Sequence, residues 1–295
     1  MNTILYNLSK CIPDKIYLQL KYYMHFHKFI DFRNPKTFNE KINWLKLKNR
    51  RPEYTQMVDK YAVRKYIAEQ LGDEYLIPLL GVWDDPHEID FDKLPNQFVL
   101  KWNHDSGSVV ICKDKTKLNI TETVAMLASK KSHNGYWYGR EWPYKNVARK
   151  VIAEQFMQSD AGGLTDYKVH CFNGEPKLIL VCKDRFMQTG LTEDFFDPQW
   201  EHLDIQRATH PNASDNIAKP EELPEMLALS KKLSENIPFL RVDFYIIEHK
   251  IYFSELTFFP ASGFEKFVPE QRDKLLGSWI NLTESGKANN QAIRS

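Results

Sequence analysis

The chain has 295 residues, of which 42% are hydrophobic and 27% are charged, and its formal net charge is +1. This composition is typical of a globular protein and excludes disordered and collagen-like chains. The charge is unevenly distributed, because residues 1–51 hold 11 Lys/Arg and 3 Asp/Glu, whereas residues 151–295 hold 15 and 22. A basic first segment of this kind suggests an acidic partner.

Several function classes are excluded by what the chain lacks. No apolar run approaches the roughly 18–20 residues that span a bilayer, and the N-terminus shows no secretory signal. Cys11, Cys112, Cys171 and Cys182 form no Cys-x-x-Cys pair, so we expect reduced thiols in a cytoplasmic protein and no zinc site. The 12 glycines form neither the Rossmann fingerprint nor the Walker P-loop.

The N-terminal third of the chain predicts helices. Apolar residues recur at helical spacing over 13–30. Thr37 and Glu40 fit a capping box, in which each side chain satisfies a backbone donor at the start of a second helix. Asp59 can cap a third helix over 60–71.

The rest of the chain predicts strands and hairpins, with a few helices. The predicted strands are 75–83, 98–102, 109–112, 151–157, 167–172, 177–182, 240–247 and 251–256. The predicted later helices are 121–131, 221–236 and 269–282. The aromatic segment 132–146 is predicted to be a loop and is our candidate for a mobile lid, and residues 186–220 are predicted to be mostly irregular.

The sharpest group of polar residues lies in the last predicted hairpin. Strand alternation puts Arg241 and Asp243 on one face, and Glu255 and Thr257 on one face of the partner strand. With a three-residue loop at 248–250, Asp243 lies opposite Glu255, with Cβ atoms about 4.5–5.5 Å apart. Two carboxylates this close repel unless a cation or a proton lies between them, and hard oxygen ligands suit Mg²⁺. The alternative is a solvated strand face with ordinary surface charges.

Lys101 is a lone charge in the β-rich run 98–102, and a buried ammonium needs an anion. The following loop, 103–108, offers backbone amides, and Gly107 allows close approach, so the loop can cover phosphates. The alternative is an edge-strand lysine that reaches water. We expect His104 to make local hydrogen bonds rather than to act as a catalyst.

Together these segments resemble the ATP-grasp superfamily and, within it, the TupA-like branch associated with teichuronopeptide and capsular polysaccharide biosynthesis. The resemblance covers nearly the whole chain and rests on the order and spacing of several motifs. These are Asn-Pro-Lys-Thr-Phe-Asn-Glu-Lys-Ile at 34–42, Asp-Lys-Tyr-Ala-Val-Arg at 59–64, Phe-Val-Leu-Lys-Trp-Asn-His at 98–104, Asp-Tyr-Lys at 166–168, Cys-Phe-Asn-Gly-Glu-Pro at 171–176 and Glu-Leu-Thr at 255–257.

The resemblance implies an α+β, ATP-grasp fold, in which two α+β subdomains hold ATP, with an N-terminal helical extension. The implied divisions are a basic helical extension over 1–58, the N-terminal part of the ATP-grasp body over 59–95, a small lid subdomain over 96–157, a C-terminal subdomain with the metal-ligand hairpin over 158–284, and a flexible tail over 285–295.

The resemblance also implies nucleotide-binding residues, with ATP as cofactor. Two lysines reach the phosphates beneath the 103–108 loop, a hinge contacts adenine, and an Asp-Tyr-Lys segment contacts ribose or phosphate. These residues are Lys60, Lys101, His104, Ser106, Gly107, Glu154, Gln155, Phe156, Met157, Asp166 and Lys168. Asp105 stands where glycine is common, which brings an extra negative charge near the phosphates.

In the same resemblance, Asp243 and Glu255 correspond to the Mg²⁺ ligands. Thr257 stands where many ATP-grasp enzymes carry Asn, and its hydroxyl is a weaker metal ligand. Arg241 corresponds to the residue that steadies an acyl phosphate, and with Lys101 it is a candidate catalytic residue. The dipeptide 184–185, Asp-Arg, is either a contact for an acidic substrate group or a structural ion pair.

The activity that the resemblance implies is ATP-dependent ligation. ATP phosphorylates a carboxylate, and an amine attacks the resulting acyl phosphate, which needs no protein nucleophile. The family suggests a uronic acid of a surface glycan or its precursor as the carboxylate, and an amino acid as the amine. The alternatives are a glycosyltransferase, an ATP-dependent phosphotransferase, or a non-catalytic glycan-binding scaffold.

The basic N-terminal arm has three interpretations. Lys15, Lys21 and Lys28 lie among apolar residues, so the arm can lie on an anionic membrane surface. It can instead attract an acidic polysaccharide, or pack on the catalytic body with a cationic exterior. Nucleic acid is not expected, because no binding motif accompanies the charge. We therefore expect a cytoplasmic protein, with peripheral contact at the inner face of the membrane as the first alternative.

Overall fold

The computed structural model describes residues 9–158, 164–183 and 190–282. The 184–185 dipeptide and the predicted tail 285–295 lie outside these ranges. The helices are α1 (Asp14–Phe26), α2 (Phe38–Lys48), α3 (Glu53–Val58), α4 (Val63–Gln70), α5 (Ile120–Lys130), α6 (Tyr136–Gly139), α7 (Leu223–Leu233) and α8 (Gln271–Ser278). The strands are β1 (Leu79–Trp83), β2 (Phe98–Trp102), β3 (Val109–Cys112), β4 (Val151–Gln155), β5 (Asp166–Phe172), β6 (Glu175–Lys183), β7 (Thr192–Phe196), β8 (Gln206–Arg207), β9 (Phe239–Ile247), β10 (Lys250–Thr257) and β11 (Phe267–Val268).

A smaller sheet joins four strands in the order β1-β4-β2-β3, with each neighbouring pair antiparallel. Along β2, Phe98, Leu100 and Trp102 are fully buried, because alternate residues of a strand point to the same face and this face carries the core. Val99 and Lys101 therefore point to the opposite face.

A larger sheet joins five strands in the order β10-β9-β5-β6-β7, again antiparallel throughout. Its core face carries fully buried side chains that include Val169, Ile179, Leu240, Val242 and Phe244. Helix α7 packs on β5, β6 and β9. The opposite face at β9 is therefore left for polar residues.

The hairpin that carries the carboxylates confirms one part of the sequence prediction and corrects another. Its turn has two residues, Glu248 and His249, rather than three, and both have positive φ, at 50° and 60°. A two-residue turn alone would pair Asp243 with Ser254. A bulge at Ser254 shifts the register by one, so Asp243 lies opposite Glu255, as predicted.

Helix α3 and strand β7 were not predicted. Helix α3 lies between the second and third predicted helices, and β7 lies within the region predicted to be irregular. Strand β7 carries Glu193 and Asp194, which are only 2% and 3% exposed. Arg207 donates to Glu193, and His202 and Asn212 bond to Asp194. Acidic residues suggest an exposed loop, and the partners that allow their burial come from later segments.

The predicted capping box at α2 is present, because Glu40 N donates to Thr37 Oγ1 and Thr37 N donates to Glu40 Oε2. Helix α8 packs against the start of α2 at Gly277, where a Cβ atom would lie 2.4 Å from Lys36 O. On α1, Leu18 and Tyr22 are buried in a small core of their own. Helix α1 is thus packed on the body through Phe264 and Tyr136. None of the helices within the described ranges has the length and apolar character to cross a membrane.

The aromatic segment 132–146, our candidate lid, is held by contacts with α1 and α2. Arg140 is fully buried, with its guanidinium 4.0 Å from the ring centroid of Tyr17. Tyr17 Oη donates to Tyr138 O at 3.0 Å, and Lys46 Nζ donates to Gly139 O at 2.7 Å. These contacts make the segment part of the packed body, which does not favour a mobile lid.

Candidate functional site

Three neighbouring strands bring charged residues together on one face of the larger sheet. The antiparallel register pairs Lys168 on β5 with Asp243 on β9, and Asp243 with Glu255 on β10. Arg241 and Thr257 also pair across β9 and β10. Because residues two apart in a strand share a face, all five side chains meet at one place. We call these five residues the carboxylate cluster.

Asp243 lies at the centre of the carboxylate cluster and is fully buried. Its Oδ2 accepts hydrogen bonds from Lys168 Nζ at 2.7 Å and Arg241 Nη2 at 2.6 Å, and its Oδ1 accepts from Arg241 Nε at 2.7 Å. Burial alone would raise the pKa of Asp243, but the charges of Arg241 and Lys168 hold it below its ordinary value. Asp243 is therefore an anion with a cation on either side.

Glu255 and Thr257 complete the cluster through Arg241, whose Nη2 also donates to Glu255 Oε1 at 3.2 Å and to Thr257 Oγ1 at 3.1 Å. Burial raises the pKa of Glu255, whereas the charge of Lys60 lowers it, and the result lies below the ordinary value. Both carboxylates are thus charged at neutral pH. The repulsion expected between them is offset here by arginine and lysine.

Lys60 connects the carboxylate cluster to the 103–108 loop. Its Nζ lies 3.4 Å from Glu255 Oε2 and donates to Asp105 O at 2.8 Å. Its backbone N donates to Asn103 O at 3.0 Å. The Asp105 carboxylate accepts a hydrogen bond from Ser108 Oγ, so its partner lies within the loop itself. One lysine therefore joins the larger sheet to the loop predicted to cover phosphates.

Sequence reasoning assigned no role to the side chain of Asn103, which is fully buried and holds this junction in place. Its Nδ2 donates to Asp59 Oδ1 at 2.7 Å and Ala148 O at 2.8 Å, and its Oδ1 accepts from Lys150 N at 2.9 Å. Asp59 Oδ1 also accepts from the backbone N of Tyr61 and Ala62 in the turn before α4, but α4 begins only at Val63, after Ala62, so the predicted cap of a helix over 60–71 by Asp59 is wrong. The segment that carries Lys60 is thereby fixed against β2 and β4.

Lys101 lies on the face of the smaller sheet opposite its apolar core, and its anion in this structure is the buried Glu154, with Nζ 2.6 Å from Oε2. Arg64 Nη1 lies 3.5 Å from the other oxygen of Glu154. The edge-strand alternative for Lys101 is wrong, because β2 lies between β4 and β3. The sequence predicted separate ligands for Lys101 and Glu154, and the structure pairs them with each other.

Three more of the predicted nucleotide-binding residues lie in the 103–108 loop. His104 is buried, and its Nε2 lies 3.1 Å from His133 O. Burial lowers the pKa of His104 to about 4, so its ring is neutral at pH 7. Exposed residues at the tip of the 103–108 loop are Ser106 and Gly107. Gly107 has a φ of 116° and open space at its Cβ position, which leaves room beside the loop.

The hinge residues follow the end of the smaller sheet. Gln155 closes β4, with its N donating to Pro78 O at 3.0 Å, and Phe156 and Met157 come directly after it, half-buried. On the larger sheet, Asp166 Oδ1 lies 3.8 Å from Lys168 Nζ, so this pair borders the carboxylate cluster. The structure thus places the predicted hinge on one sheet and the predicted ribose contacts on the other.

Two further residues near the cluster were missed, and both come from the aromatic segment. Burial, with the charges of Glu141 and Glu255, raises the pKa of Tyr144 well above its ordinary value, so the phenol stays protonated. Ser262 Oγ donates to Glu141 Oε1, which ties the segment to the loop that follows β10. Nothing local in the sequence signals these contacts, because their partners lie more than a hundred residues away.

Lys46 is a fully buried ammonium beneath the same loop. Its Nζ donates to Ser262 O at 2.6 Å, Gly139 O at 2.7 Å and Asn43 Oδ1 at 3.1 Å, and burial lowers its pKa to about 7. Its three acceptors satisfy all the donors of an ammonium. The position of Lys46 between Leu45 and Leu47 is the sequence pattern that could have indicated its burial.

Asp243 and Glu255 are the carboxylates predicted to hold Mg²⁺, and in this structure both oxygens of Asp243 accept hydrogen bonds from Arg241 or Lys168. The described ranges contain no group of three or more His, Cys, Asp or Glu side chains that could hold a metal ion. The cluster offers two carboxylates and the Thr257 hydroxyl, and Arg241 and Lys168 stand beside them. Mg²⁺ that is bound together with phosphates commonly takes one or two protein carboxylates and fills its other positions with phosphate oxygens and water.

The comparison with protein families decides which family this architecture represents. The model of the family described as TupA-like ATPgrasp matches residues 40–281. The chain belongs to the TupA-like ATP-grasp family. This confirms the resemblance found in the sequence, and with it the α+β, ATP-grasp fold.

Three solved structures that resemble this family member do so at low sequence identity. D-alanine–D-alanine ligase from Bacillus anthracis, complexed with ATP, is 18% identical over 80% of this chain and 68% of that chain, with a TM-score of 0.44. D-cycloserine synthetase DcsG is 15% identical over 83% and 73%, with a TM-score of 0.43. N5-carboxyaminoimidazole ribonucleotide synthetase from Thermus thermophilus is 12% identical over 78% and 49%, with a TM-score of 0.38. No curated protein matches the chain. The family assignment therefore rests on the family model.

Proposed function

We propose that this protein is an ATP-dependent ligase that activates a carboxylate as an acyl phosphate and joins it to an amine. The observation that carries the proposal is the carboxylate cluster, in which the fully buried Asp243 and the half-buried Glu255 meet Arg241 and Lys168 at one face of a sheet, with Lys60 beside Glu255. Such a cluster suits a highly charged polyphosphate and its metal ion better than it suits a neutral ligand. Membership of the TupA-like ATP-grasp family supports ATP as the nucleotide.

The nucleotide would lie between the two sheets in this proposal. Lys60 and Lys101 would bind its phosphates under the 103–108 loop, and each lysine is paired with a carboxylate until phosphates arrive. The hinge at 154–157 would contact adenine, and Asp166 with Lys168 would contact ribose or phosphate. Exchanging Glu255 and Glu154 for phosphate oxygens keeps both ammonium groups paired, which avoids the cost of a buried free charge.

Asp243 and Glu255 would hold Mg²⁺, with Thr257 as a weaker oxygen donor. When bound, the ion supplies charge neutralisation for the phosphates. The chain's own part is electrostatic. Arg241 is held by two hydrogen bonds to Asp243, so its guanidinium is already oriented toward the cluster before substrate binds. A preorganised guanidinium of this kind stabilises negative charge that develops on the transferred phosphoryl group.

The proposed reaction has two steps. A carboxylate oxygen attacks the terminal phosphorus of ATP and ADP leaves, which gives the acyl phosphate. The amine nitrogen then attacks the acyl carbon, phosphate leaves, and the amide forms with loss of a proton from nitrogen. Arg241 and Lys101 are the catalytic residues in this proposal. The proposed carboxylate is a uronic acid of a capsular or cell-surface polysaccharide or its precursor, and the proposed amine is an amino acid. The reaction is proposed to take place in the cytoplasm.

The test is an assay of ADP and phosphate release over uronic acids crossed with amino acids, in the presence of ATP and Mg²⁺. We expect release only when both an acid and an amine are present. Asp243→Asn should lower the rate at least about a hundredfold, because Arg241 and Lys168 lose the anion that orients them. Asp204→Asn is the matched control, since the Asp204 side chain is 84% exposed, and it should be near wild type.

Other outcomes would identify the alternatives. ADP formation without an amine indicates a phosphotransferase, and consumption of a nucleotide sugar without ATP indicates a glycosyltransferase. A thermal shift assay with Mg²⁺ and a non-hydrolysable ATP analogue separates a binding scaffold from an enzyme whose substrate is missing. No shift with the analogue would contradict nucleotide binding itself.

A further inference from the structure

The outward face of α1 is apolar. Ile16, Leu20, Tyr23 and Met24 recur at helical spacing and are 52%, 50%, 46% and 71% exposed, and Phe29, just beyond the helix, is 63% exposed. We call these five residues the α1 patch. A surface helix normally presents polar residues to water, and a contiguous exposed apolar patch marks a binding surface.

The α1 patch cannot turn inward, because the other side of the helix is already anchored. Leu18 and Tyr22 are 0% and 3% exposed and pack with Phe264. Asp14 accepts hydrogen bonds from Arg50 Nη2 and from Tyr136 Oη, each at 2.7 Å. Rotating α1 to bury the patch would break these contacts and expose the residues that now form the small core.

The chain around the α1 patch is strongly basic. Residues 10–36 carry six lysine and arginine residues against two aspartates. One of the aspartates, Asp14, is bound by Arg50 and Arg140, so its charge does not face outward. Lys28 pairs with Glu270, but both side chains are more than two thirds exposed, and such a pair is weak in water. The surroundings of the patch therefore attract an anionic surface.

We propose that the α1 patch binds the headgroup region of an anionic lipid bilayer. The aliphatic and aromatic side chains would enter the boundary between headgroups and acyl chains, while the exposed Lys15, Lys28 and Arg33 approach lipid phosphates. A second copy of this chain would bring two basic arms against each other. A soluble acidic polysaccharide would neutralise the lysines but leave the five apolar side chains in water. The proposal is independent of the proposed ligase activity.

The experiment is co-sedimentation of the full chain with phosphatidylcholine vesicles, and with vesicles that also contain phosphatidylglycerol. We expect binding to the anionic vesicles that weakens as salt is raised. Leu20→Asp with Met24→Asp should lower the binding constant at least about tenfold, since two apolar groups no longer enter the bilayer. Both residues are exposed, so the unfolding temperature should stay near wild type. Ile120→Asp, at a residue 43% exposed on α5, is the matched control and should bind like wild type.

Three results would overturn the proposal. The first is the absence of binding to anionic vesicles, or unchanged binding by the double variant. The second is a dimer, seen by analytical ultracentrifugation, that the double variant abolishes, because the patch would then pair two copies of the chain. The third is binding of a soluble polyuronate that depends on Lys15 and Arg33 but not on Leu20 and Met24. In that case the arm would recognise an acidic glycan.

Discussion

The two sheets hold their buried carboxylates in different ways. On the larger sheet, Asp243 is fully buried and makes three hydrogen bonds at 2.6–2.7 Å with Arg241 and Lys168. On the smaller sheet, Glu154 is 6% exposed and has one close partner, Lys101 at 2.6 Å, and one distant partner, Arg64 at 3.5 Å. Asp243 is therefore held closely by both of its cations, whereas Glu154 is held closely only by Lys101, and its contact with Arg64 is weak.

The origin of the cations explains this difference. Arg241 and Lys168 extend from strands of the same sheet as Asp243, so strand register fixes their positions. Arg64 instead extends from α4, a helix whose buried side chains belong to the core of the larger sheet, and it divides its donors between Glu154 and Ile77 O. A charge network within one sheet should therefore be stiffer, and more costly to interrupt, than one assembled between a helix and a sheet.

The strongest test compares Arg241→Met with Arg64→Met. Loss of Arg241 leaves Asp243 buried with only Lys168, so we expect the free energy of unfolding to fall by about 3–5 kcal/mol. Loss of Arg64 leaves the close Lys101 contact with Glu154, so we expect a fall of about 1 kcal/mol. Urea unfolding of both variants measures the difference. Arg241→Lys is the control, and it should be intermediate, because it keeps the charge but not the two-pronged geometry. Equal losses for the two methionine variants would show that the two clusters are alike.

The pH dependence of stability gives a second comparison, because one buried histidine lies on the larger sheet and another lies in the 103–108 loop, just after β2 of the smaller sheet. Burial lowers the pKa of His170, on the larger sheet, to about 3, with a further contribution from the charge of Arg241, and burial lowers the pKa of His104 to about 4. Both values lie below the ordinary 6.5, so each neutral ring contributes stability that is complete above pH 6.5. That stability is lost as the pH falls, by about 3 kcal/mol for His170 between pH 6.5 and pH 4.

The measurement is unfolding free energy against pH for the wild type, His170→Gln and His104→Gln. Each variant should lose less stability than the wild type as the pH falls from 6.5. The difference in unfolding free energy between His170→Gln and the wild type should keep growing below pH 4. The corresponding difference for His104→Gln should no longer grow there. Parallel curves for all three proteins would mean that neither ring is held neutral by the fold.

The sequence was most informative where the signal was local. Strand alternation placed Arg241 and Asp243 together, and the pairing of Asp243 with Glu255 followed from the hairpin. The length of the turn could not be predicted from the sequence, because Glu248 and His249 are not the residues that a turn with positive φ favours. The compensating bulge at Ser254 has no local signal either, so the right pairing was predicted from the wrong loop.

Features that depend on partners outside their own strand or hairpin could not be predicted. The pairing of Lys101 with Glu154 needs β4 beside β2, which is fixed only by the folded sheet. The acidic strand β7 is buried because Arg207, His202 and Asn212 fold back on it. Sequence alone shows that such side chains are charged, but it does not show which opposite charge will neutralise them.

The turn of the carboxylate hairpin gives the smallest test, and it contrasts with an ordinary exposed position near the smaller sheet. His249 has a φ of 60°, a conformation that glycine adopts without strain, so His249→Gly should raise the free energy of unfolding by about 0.5–1 kcal/mol. The matched control is His87→Gly. Both histidines bond an acidic side chain through Nδ1, at 2.9 Å to Glu222 and 2.7 Å to Asp85, and both side chains are largely exposed. His87 lacks a positive φ, so glycine there should lower stability by about 0.5–1 kcal/mol, through the greater freedom of the unfolded chain. Chemical denaturation measures the free energy of unfolding of both variants. If it falls for both, the turn holds no strain that glycine relieves.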